Sequence, residues 1–504
     1  MIRLIFLAAA AVMLGAEPAA AAPITALIGQ IGAWLGSTLL GRFVVQVAVS
    51  MALGALANAM RRGSSRKRPR TEVAVYGDLS PEQIILGRYA TRGAYGHPVY
   101  TTGDYAHMVV TLCALPGAQL RRIAVQGEWV DLDSSNPHPD YGLPAVSGSK
   151  YAGALWVKFY DGTQADADPY MLATFGGDPI APWSADMIGE QLCYAIVTCL
   201  KGQSPPIWSG LPQPLFELDG IPLYDPRQDD TAGGVGPQRW SDPATWQQTT
   251  NPAVIAYNIL RGISMPGGDT WGGRATADDL PYAVWAAAMD VCDEQVDDGA
   301  GGTKARYVAG IAPALDQEPA EAIEALVEAM AGDIAALPNG TWLVSAGGPG
   351  LPVGAIVDER DVLRERVSTV NPQIRTSERW TGVAPTWVSP GDLWQPRAGD
   401  AVMSSVLPDI GARRVADVRL DAVWDGEQAG RIASSWLSDH ELQRRHVISL
   451  PPSHGWMEPL DVVTVTSERF GYAAKAFEVI ATSESAQSGI IIATLKEVDH
   501  GGWA

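Results

Sequence analysis

The chain has 504 residues, too many for one small hydrophobic core, and this length favours about three domains. Its 53 glycines and 36 prolines favour many turns and short strands over long helices. The formal net charge of −20 excludes the cationic surface on which non-specific nucleic-acid binding depends, so we expect no specific nucleic-acid binding.

The first 60 residues are apolar and predict a helical segment. Residues 1–23 have the pattern of a secretory leader, with one early arginine, an apolar run and small residues before a proline. Two more apolar stretches, 24–41 and 43–60, approach the length of a membrane span. A basic linker, 61–71, follows and would lie on the cytoplasmic side of a membrane.

Small residues recur at a spacing of four in these stretches, at Gly32 and Gly36 and again at Ala48 and Ala52. Such pairs let helices approach closely in an apolar environment, so we predict helix packing through them. Two interpretations remain open. The segment anchors the protein in a membrane, or it forms an apolar bundle that lines or plugs the lumen of an oligomer until it meets a membrane.

From residue 72 the sequence changes to the period-two alternation of β-strands. Residues 131–189 are crowded with turn-forming residues around one strand, 154–160, which predicts an insertion before strands resume. The strands predicted before the insertion are 73–76, 84–90, 107–114 and 123–130.

The most distinctive stretch combines a strand, a polar turn and the start of a helix. The predicted helix begins after an asparagine cap and ends at Gly262. These residue types make caps and turns, so the motif predicts a structural role. Its residues are Gly210, Leu211, Pro212, Tyr224, Asp225, Pro226, Arg227, Asn251 and Pro252.

Two further helices are predicted in the second half of the chain. Residues 318–337 carry one apolar stripe at helical spacing, with acids in the first turns, and Asn339-Gly340 then predicts a hairpin. Residues 427–441 form a second amphipathic helix. A strand at 444–450 and an antiparallel meander of three more strands complete the chain, at 458–466, 474–480 and 490–497.

No sequence pattern indicates catalysis, and we expect no enzymatic activity, metal site or cofactor. His440 and His446 do not share a helical face, so they do not form a metalloprotease pair. The acids at 293–298 precede a glycine-rich loop that positions carboxylates poorly for glycan cleavage. Cys193 and Cys199 lie an even number of residues apart, which predicts two small apolar side chains on one face of a strand.

The "GLP…DPR…NPA" passage, the strands "HMVVTLCAL" and "IAVQGEWV" and the helix and strands of the last quarter resemble the tail tip hub proteins of long-tailed bacteriophages. This is the lambda-type host-specificity and tip attachment family, with its prophage and gene-transfer-agent hubs. The resemblance covers about residues 72–130 and 190–500. Hub proteins usually have Pro-Gly-Asp before the first meander strand, whereas this chain has Leu460 in place of the glycine.

The resemblance implies a multidomain β-rich α+β fold with two tube-type β-barrel hub domains, an inserted loop-rich domain, a small α/β domain and the N-terminal apolar helical segment. The implied boundaries are 72–130 for the first part of hub barrel I, 131–189 for the insertion, 190–235 for the return of barrel I, 236–360 for the small α/β domain, and 361–504 for hub barrel IV with helix 427–441.

The function implied is that of a structural tail tip hub at the distal end of a virion tail. Three copies would form a pseudo-six-fold ring, assembled in the host cytoplasm, that joins the tail tube and the distal tail protein to the tip. The ring would close the lumen around the tape measure protein and open for DNA ejection, with other tip or fibre proteins and transiently the host membrane as partners. The alternative is an exported or membrane-anchored bacterial envelope protein with a carbohydrate-binding or hydrolytic role.

Overall fold

The structure is a computed structural model, and it describes residues 82–499 without 204–205, 209, 300, 367, 374–378, 407–413 and 486. The predicted apolar segment 1–60, the basic linker 61–71 and the strand 73–76 therefore lie outside the described residues. So do Gly32, Gly36, Ala48 and Ala52, whose predicted role in helix packing stays a prediction.

Short strands dominate the described chain, as the glycine and proline content predicts. The helices are α1 Pro169–Phe175, α2 Pro252–Arg261, α3 Tyr282–Asp293, α4 Pro319–Ala329, α5 Asp358–Asp361 and α6 Gly426–Glu441. The strands are β1 Leu86–Thr91, β2 Ala94–Tyr95, β3 Tyr100–Thr102, β4 Tyr105–Cys113, β5 Gln119–Val125, β6 Glu128–Val130, β7 Leu143–Pro144, β8 Leu155–Asp161, β9 Cys193–Leu200, β10 Leu215–Asp219, β11 Ile263–Ser264, β12 Thr270–Trp271, β13 Gln295–Asp297, β14 Thr303–Ala305, β15 Gly310–Ile311, β16 Asp333–Ala336, β17 Trp342–Ser345, β18 Pro352–Val357, β19 Thr369–Asn371, β20 Gly382–Ser389, β21 Gln395–Ala398, β22 Val402–Met403, β23 Val415–Leu420, β24 Arg445–Leu450, β25 Val462–Ser467, β26 Tyr472–Glu484 and β27 Ile491–Glu497.

The first large sheet has six antiparallel strands in the order β2-β4-β9-β8-β7, with β3 paired to β4. Alternate residues of β4 and β9 point to opposite faces, and each face packs into a separate apolar cluster. The smaller of these clusters includes Met171 and Phe175 of α1. Both β7 and β8, from the predicted insertion, extend this sheet through β9.

A second sheet has five strands in the order β15-β1-β10-β5-β6, with β10 at its centre. The sequence predicted one strand over 123–130, and the structure corrects this prediction. The chain reverses at Gln126-Gly127, where φ is 49° and 82°, and β5 and β6 pair as a hairpin. Two consecutive positive φ angles match the tight turn whose twist suits a hairpin.

Helices α2, α3 and α4 and the hairpin β16–β17 pack together after the second sheet. The sequence predicted one helix over 318–337, but α4 ends at Ala329, and Ile334 belongs to β16. The helix stops because Ala331 takes a positive φ of 47° and the amide of Gly332 then bonds back to the carbonyl of Val327. The hairpin predicted at Asn339-Gly340 is confirmed, with Gly340 at φ 94°.

The last part of the chain forms two sheets. Six strands run in the order β18-β25-β26-β27-β24-β19, and the predicted meander is confirmed as β25, β26 and β27. Strands β20 to β23 form a smaller sheet against which α6 packs, which confirms the helix predicted at 427–441 within one residue.

The β-rich fold with a minority of helices is confirmed, but the two predicted hub barrels are not confirmed as closed barrels. The sheets of four or more strands in the described part of the chain are open, because the strands at their two edges do not pair with each other. The five-stranded sheet ends at β15 and β6, and the last six-stranded sheet ends at β18 and β19. None of the helices among the described residues combines the length and hydrophobicity needed to cross a bilayer.

Candidate functional site

The nine motif residues fall into two groups. Three precede β10, and the other six lie in a largely buried region beside α2 and α3, which we call the motif junction. Gly210 is exposed and Leu211 keeps 48% of its surface accessible, whereas Pro212 is buried just before β10. The other six residues lie close to α2 and α3, where most of them form hydrogen bonds or ion pairs.

Asn251 caps α2 and ties it to α3. Its side-chain oxygen accepts hydrogen bonds from the amides of Ala253 and Val254 at 3.0 and 3.3 Å. Its side-chain nitrogen donates to the carbonyl of Met289, in α3, at 2.9 Å. Pro252 takes the first helical position, where a missing amide proton costs nothing. The asparagine-proline pair therefore starts one helix and positions another.

A second asparagine, Asn258 of α2, bonds the backbone of Tyr224, where the polar turn of the motif begins. Its side-chain oxygen accepts from the amide of Tyr224 at 3.1 Å, and its side-chain nitrogen donates to the carbonyl of the same residue at 2.7 Å. The Tyr224 hydroxyl donates to Asp229 at 2.8 Å. All three residues are buried, so each polar group needs these partners.

Asp225 and Arg227 form the polar centre of the turn. Asp225 accepts from the amide of Arg227 at 2.9 Å and so caps a short 3-10 helix, Pro226–Gln228. The Arg227 guanidinium bonds Asp225 at 2.7 Å and also Asp290 and Asp293 of α3, at 2.8 and 2.7 Å. Burial alone would lower the pKa of Arg227, but the three carboxylates outweigh it and raise that pKa.

Glu217 lies in β10, between the two parts of the motif, and has no exposed side-chain surface. It forms an ion pair with Arg88 of β1, accepts from Arg122 of β5 at 2.7 Å and accepts from the indole of Trp394 at 3.1 Å. Burial raises the pKa of Glu217, but the bonds from Trp394 and Arg122 and the charge of Arg88 outweigh it and hold the pKa below its usual value. This carboxylate thus links the five-stranded sheet to the last part of the chain.

Arg261, the last residue of α2, lies among aromatic rings. Its guanidinium is 4.6 Å from the ring centre of Trp240 and 4.5 Å from that of Trp246, and it donates to the carbonyl of Trp240 at 2.5 Å. Burial lowers the pKa of Arg261. It lines an open cavity of about 380 Å³ together with Arg274. Gly262 follows at φ 98° and ends the helix as predicted.

The acids that the sequence offered for glycan cleavage have structural partners. Asp293 pairs with Arg227, and Glu294 pairs with Arg306 at 2.6 Å. Asp297 and Asp298 accept backbone amides of the hairpin turn between β13 and β14. No group of three or more His, Cys, Asp or Glu side chains within the described residues is placed to hold a metal ion.

Four residues important to this junction escaped prediction from sequence: Glu217, Asn258, Arg261 and Trp394. Glu217 carried a usable signal, because it is an acid flanked by the apolar residues Phe216 and Leu218 within a strand. Asn258 carried a similar signal, as a polar residue within the apolar run of α2. Arg261 and Trp394 carried none, because their partners are distant in sequence, as for Trp394 and Glu217.

Residues 318–482, about a third of the chain, match the sequence model of a family described as "Putative phage tail protein". The match begins just before α4 and ends within β26, so it includes α6 and most of the last sheets. None of the curated proteins matches the chain.

Among solved structures, the fold is similar to that of a chain in the virion of a native gene transfer agent particle. The TM-score is 0.55 and the identity 17%, and the alignment covers 91% of this chain and 97% of the other. Two others are a tail protein from Neisseria meningitidis MC58 and the 43 kDa tail protein of prophage MuSo2 from Shewanella oneidensis. Their TM-scores are 0.29 and 0.28, their identities 12% and 9%, and they cover 84% and 82% of this chain and 97% and 93% of their own. Those two scores are too low to support a statement about fold.

Proposed function

We propose that this chain is a structural protein of the tail of a phage or of a related particle, and that it acts there as the tail tip hub. The observation that carries the proposal is the fold shared with a chain of the gene transfer agent virion over 91% of this chain. The match of residues 318–482 to a phage tail family supports the same assignment from sequence.

The junction around the motif supports a structural role rather than a chemical one. Asn251, Asn258 and Glu217 are buried, and their side chains are engaged by helix ends, backbone groups and arginines. Arg227 is held between three carboxylates in the same way. Such groups fix the geometry of the subunit, because their polar atoms are engaged within it.

The edge strand β18 supports assembly with further subunits. It ends the last six-stranded sheet and contains no charged residue, so Pro352 and the irregular pairing at Val353 are its features of the kind that protect sheet edges. Leu351 and Val353 keep 82% and 61% of their surface exposed, and Trp456, which packs on Gly354, keeps 44%. An uncharged edge beside exposed apolar side chains is typical of an interface.

In the proposed tip, three copies form a ring of pseudo-six-fold symmetry that joins the tail tube and the distal tail protein to the tip. The ring encloses the end of the tape measure protein and opens for DNA delivery. A net charge of −20 suits a conduit, because an acidic wall repels the DNA backbone and lets it slide. The N-terminal apolar segment would plug this lumen or contact the host membrane.

The test is to purify particles from a producing strain that carries an epitope after Ala504 and to locate the epitope by immunogold electron microscopy. We expect label at the far end of the tail, and none along the tube or on the head. If the label is absent from particles and the chain is found in the cell envelope without about 20 N-terminal residues, an exported envelope protein replaces the proposal.

A further inference from the structure

Two buried cysteines face each other across the first six-stranded sheet. Cys113 ends β4, Cys193 begins β9, and the two residues are direct partners in the antiparallel ladder. Both side chains have no exposed surface, and all four cysteines of the chain are free thiols.

The geometry of this pair suits a disulfide bond. Directly opposite residues of antiparallel strands have Cα atoms about 4.5 to 5.5 Å apart, within the range that disulfides span. The neighbouring Cys193 thiol is the largest influence on the pKa of Cys113, and it lowers that pKa. The Cys193 sulfur is also within 3.1 Å of the carbonyls of Leu115 and Asp161, which fix its position.

The other two cysteines provide a contrast within the same protein. Cys199 lies on the same strand as Cys193, but its ladder partners are Ala106 in β4 and Leu155 in β8. Cys292 is buried in α3. Burial is therefore common to all four cysteines, whereas only Cys113 and Cys193 face each other in the ladder.

The pair also stands at a particular place in the chain. The segment between the two cysteines contains β5 to β8 and α1, and with them the whole of residues 131–189. Cys113 is the last residue of the strand that leads into this segment, and Cys193 is the first residue of the strand that leads out of it. A bond between the two would close a loop of about 80 residues at its base, and loops of that size gain much from closure.

We propose that Cys113 and Cys193 are a modification site that forms an intramolecular disulfide when the chain meets a low-molecular-weight disulfide such as glutathione disulfide. One protein thiolate attacks the glutathione disulfide, forms a mixed disulfide and releases one glutathione thiolate. The second protein thiolate then attacks the mixed disulfide, forms the Cys113–Cys193 bond and releases the second glutathione. The two protein thiols lose two electrons and two protons, and the glutathione disulfide gains both.

Burial of the two thiols slows their exchange with glutathione, but it protects the disulfide once this has formed. The thiols are closed to solvent, so exchange with glutathione requires local opening of the sheet or takes place during folding. Once one thiol carries glutathione, the other is adjacent, and this proximity favours the internal bond over a second mixed disulfide. The bond is then protected by the core, as structural disulfides are.

The experiment is to fold the purified full chain in glutathione disulfide, denature it without reductant, block free thiols with iodoacetamide and map the peptides by mass spectrometry. We expect alkylation of Cys199 and Cys292 only, with the peptides of Cys113 and Cys193 joined. Cys199→Ser is the matched control, because it removes a buried thiol of the same strand and should keep the link. Cys113→Ser should lose the link and show three alkylated cysteines.

Alkylation of all four cysteines in the unmodified chain would overturn the proposal, and so would a link that includes Cys199 or Cys292. The mapping on the unmodified chain decides the matter even if Cys113→Ser fails to fold.

Discussion

The two six-stranded sheets differ in how much of their surface the chain itself covers. In the first sheet, seven of the eight residues of β9 are buried, because both faces pack against apolar clusters. In the last sheet, β27 alternates buried and half-buried residues, and the edge strand β18 leaves Leu351 and Val353 exposed. The first sheet is therefore covered on both faces by the chain itself, whereas the last sheet leaves apolar side chains exposed at one edge.

This difference separates two kinds of substitution. Changes in the first sheet and the motif junction should alter the free energy of unfolding, because the groups there are buried and paired. Changes at the β18 edge should alter assembly with little effect on the isolated subunit. The expected change in the free energy of unfolding is largest at Glu217 and smallest at the β18 edge.

Glu217→Ala should have the largest effect, about 3 kcal/mol of lost stability, because it leaves the half-buried guanidinium groups of Arg88 and Arg122 without their carboxylate. Urea unfolding measures the change. Glu128→Ala is the control, since Glu128 pairs with Lys150 on the surface and its removal should leave the stability almost unchanged. Equal losses for the two variants would show that Glu217 does not link the two parts of the chain.

Asn251→Ala should cost about 2 kcal/mol, because α2 loses its cap and the buried carbonyl of Met289 loses its donor. Asn251→Ser separates the two contributions, because serine restores the cap but does not replace the donor to Met289. The serine variant should therefore lie between the alanine variant and the unmodified chain in urea unfolding. A neutral alanine variant would contradict the structural role of the motif.

The first sheet should lose stability in acid through His107. Burial outweighs the nearby Asp168 and lowers the pKa of His107 to about 4. The folded state thus disfavours the proton that the unfolded chain binds near pH 6.5, and stability falls as the pH drops from 6.5 towards 4. Between pH 7 and pH 5 the loss from this residue should be about 2 kcal/mol.

The measurement for His107 is the free energy of unfolding at both pH values, compared with that of His107→Asn. The variant should show a smaller loss by the amount assigned to the histidine. An identical pH dependence of the two proteins would show that His107 is not kept neutral by the sheet.

Leu460→Gly should stabilise the last sheet by about 1 kcal/mol. Leu460 stands where hub proteins usually have glycine, and its φ of 73° is costly for any residue with a Cβ atom. Leu460→Ala keeps that cost and serves as the control. Thermal unfolding should therefore rank the glycine variant above the unmodified chain, and the alanine variant at or below it.

Val353→Lys should change the free energy of unfolding by less than about 0.5 kcal/mol, because the side chain is already exposed. It places a charge on the β18 edge and should prevent assembly into particles, as measured by tail formation in a complementation assay. Val235→Lys is matched to it, since Val235 is 90% exposed but lies in a loop far along the chain from β18. Loss of tails with both variants, or with neither, would contradict the assignment of the edge.

Local patterns predicted the caps and the meander well. Asn251 and Gly262 mark the ends of α2 because the cap bonds of Asn251 and the backbone of Gly262 act on the adjacent turn. The length of α4 was wrong, because the apolar spacing continues through Ile334 while Ala331 takes a positive φ. The hairpin at Gln126 was missed because an apolar alternation does not mark a turn that lacks the usual asparagine.

Contacts between residues that are distant in the chain could not be predicted from the sequence. The partners of Glu217 come from β1, β5 and the loop before β21, and no periodic pattern connects these regions. Cys113 and Cys193 lie opposite each other because of the register of β4 against β9, which includes a bulge after Thr111. Pairing with strands of other subunits depends on which strands lie at the sheet edges, and the sequence pattern does not specify these strands.

We propose that three identical copies of this chain form the tip of a tail. Cryo-electron microscopy of intact particles, reconstructed at the tail end without imposed symmetry, tests it most directly. We expect three copies of the described fold around the tail axis at the distal end. A reconstruction in which the distal ring contains none of this chain, or a single copy, would contradict it.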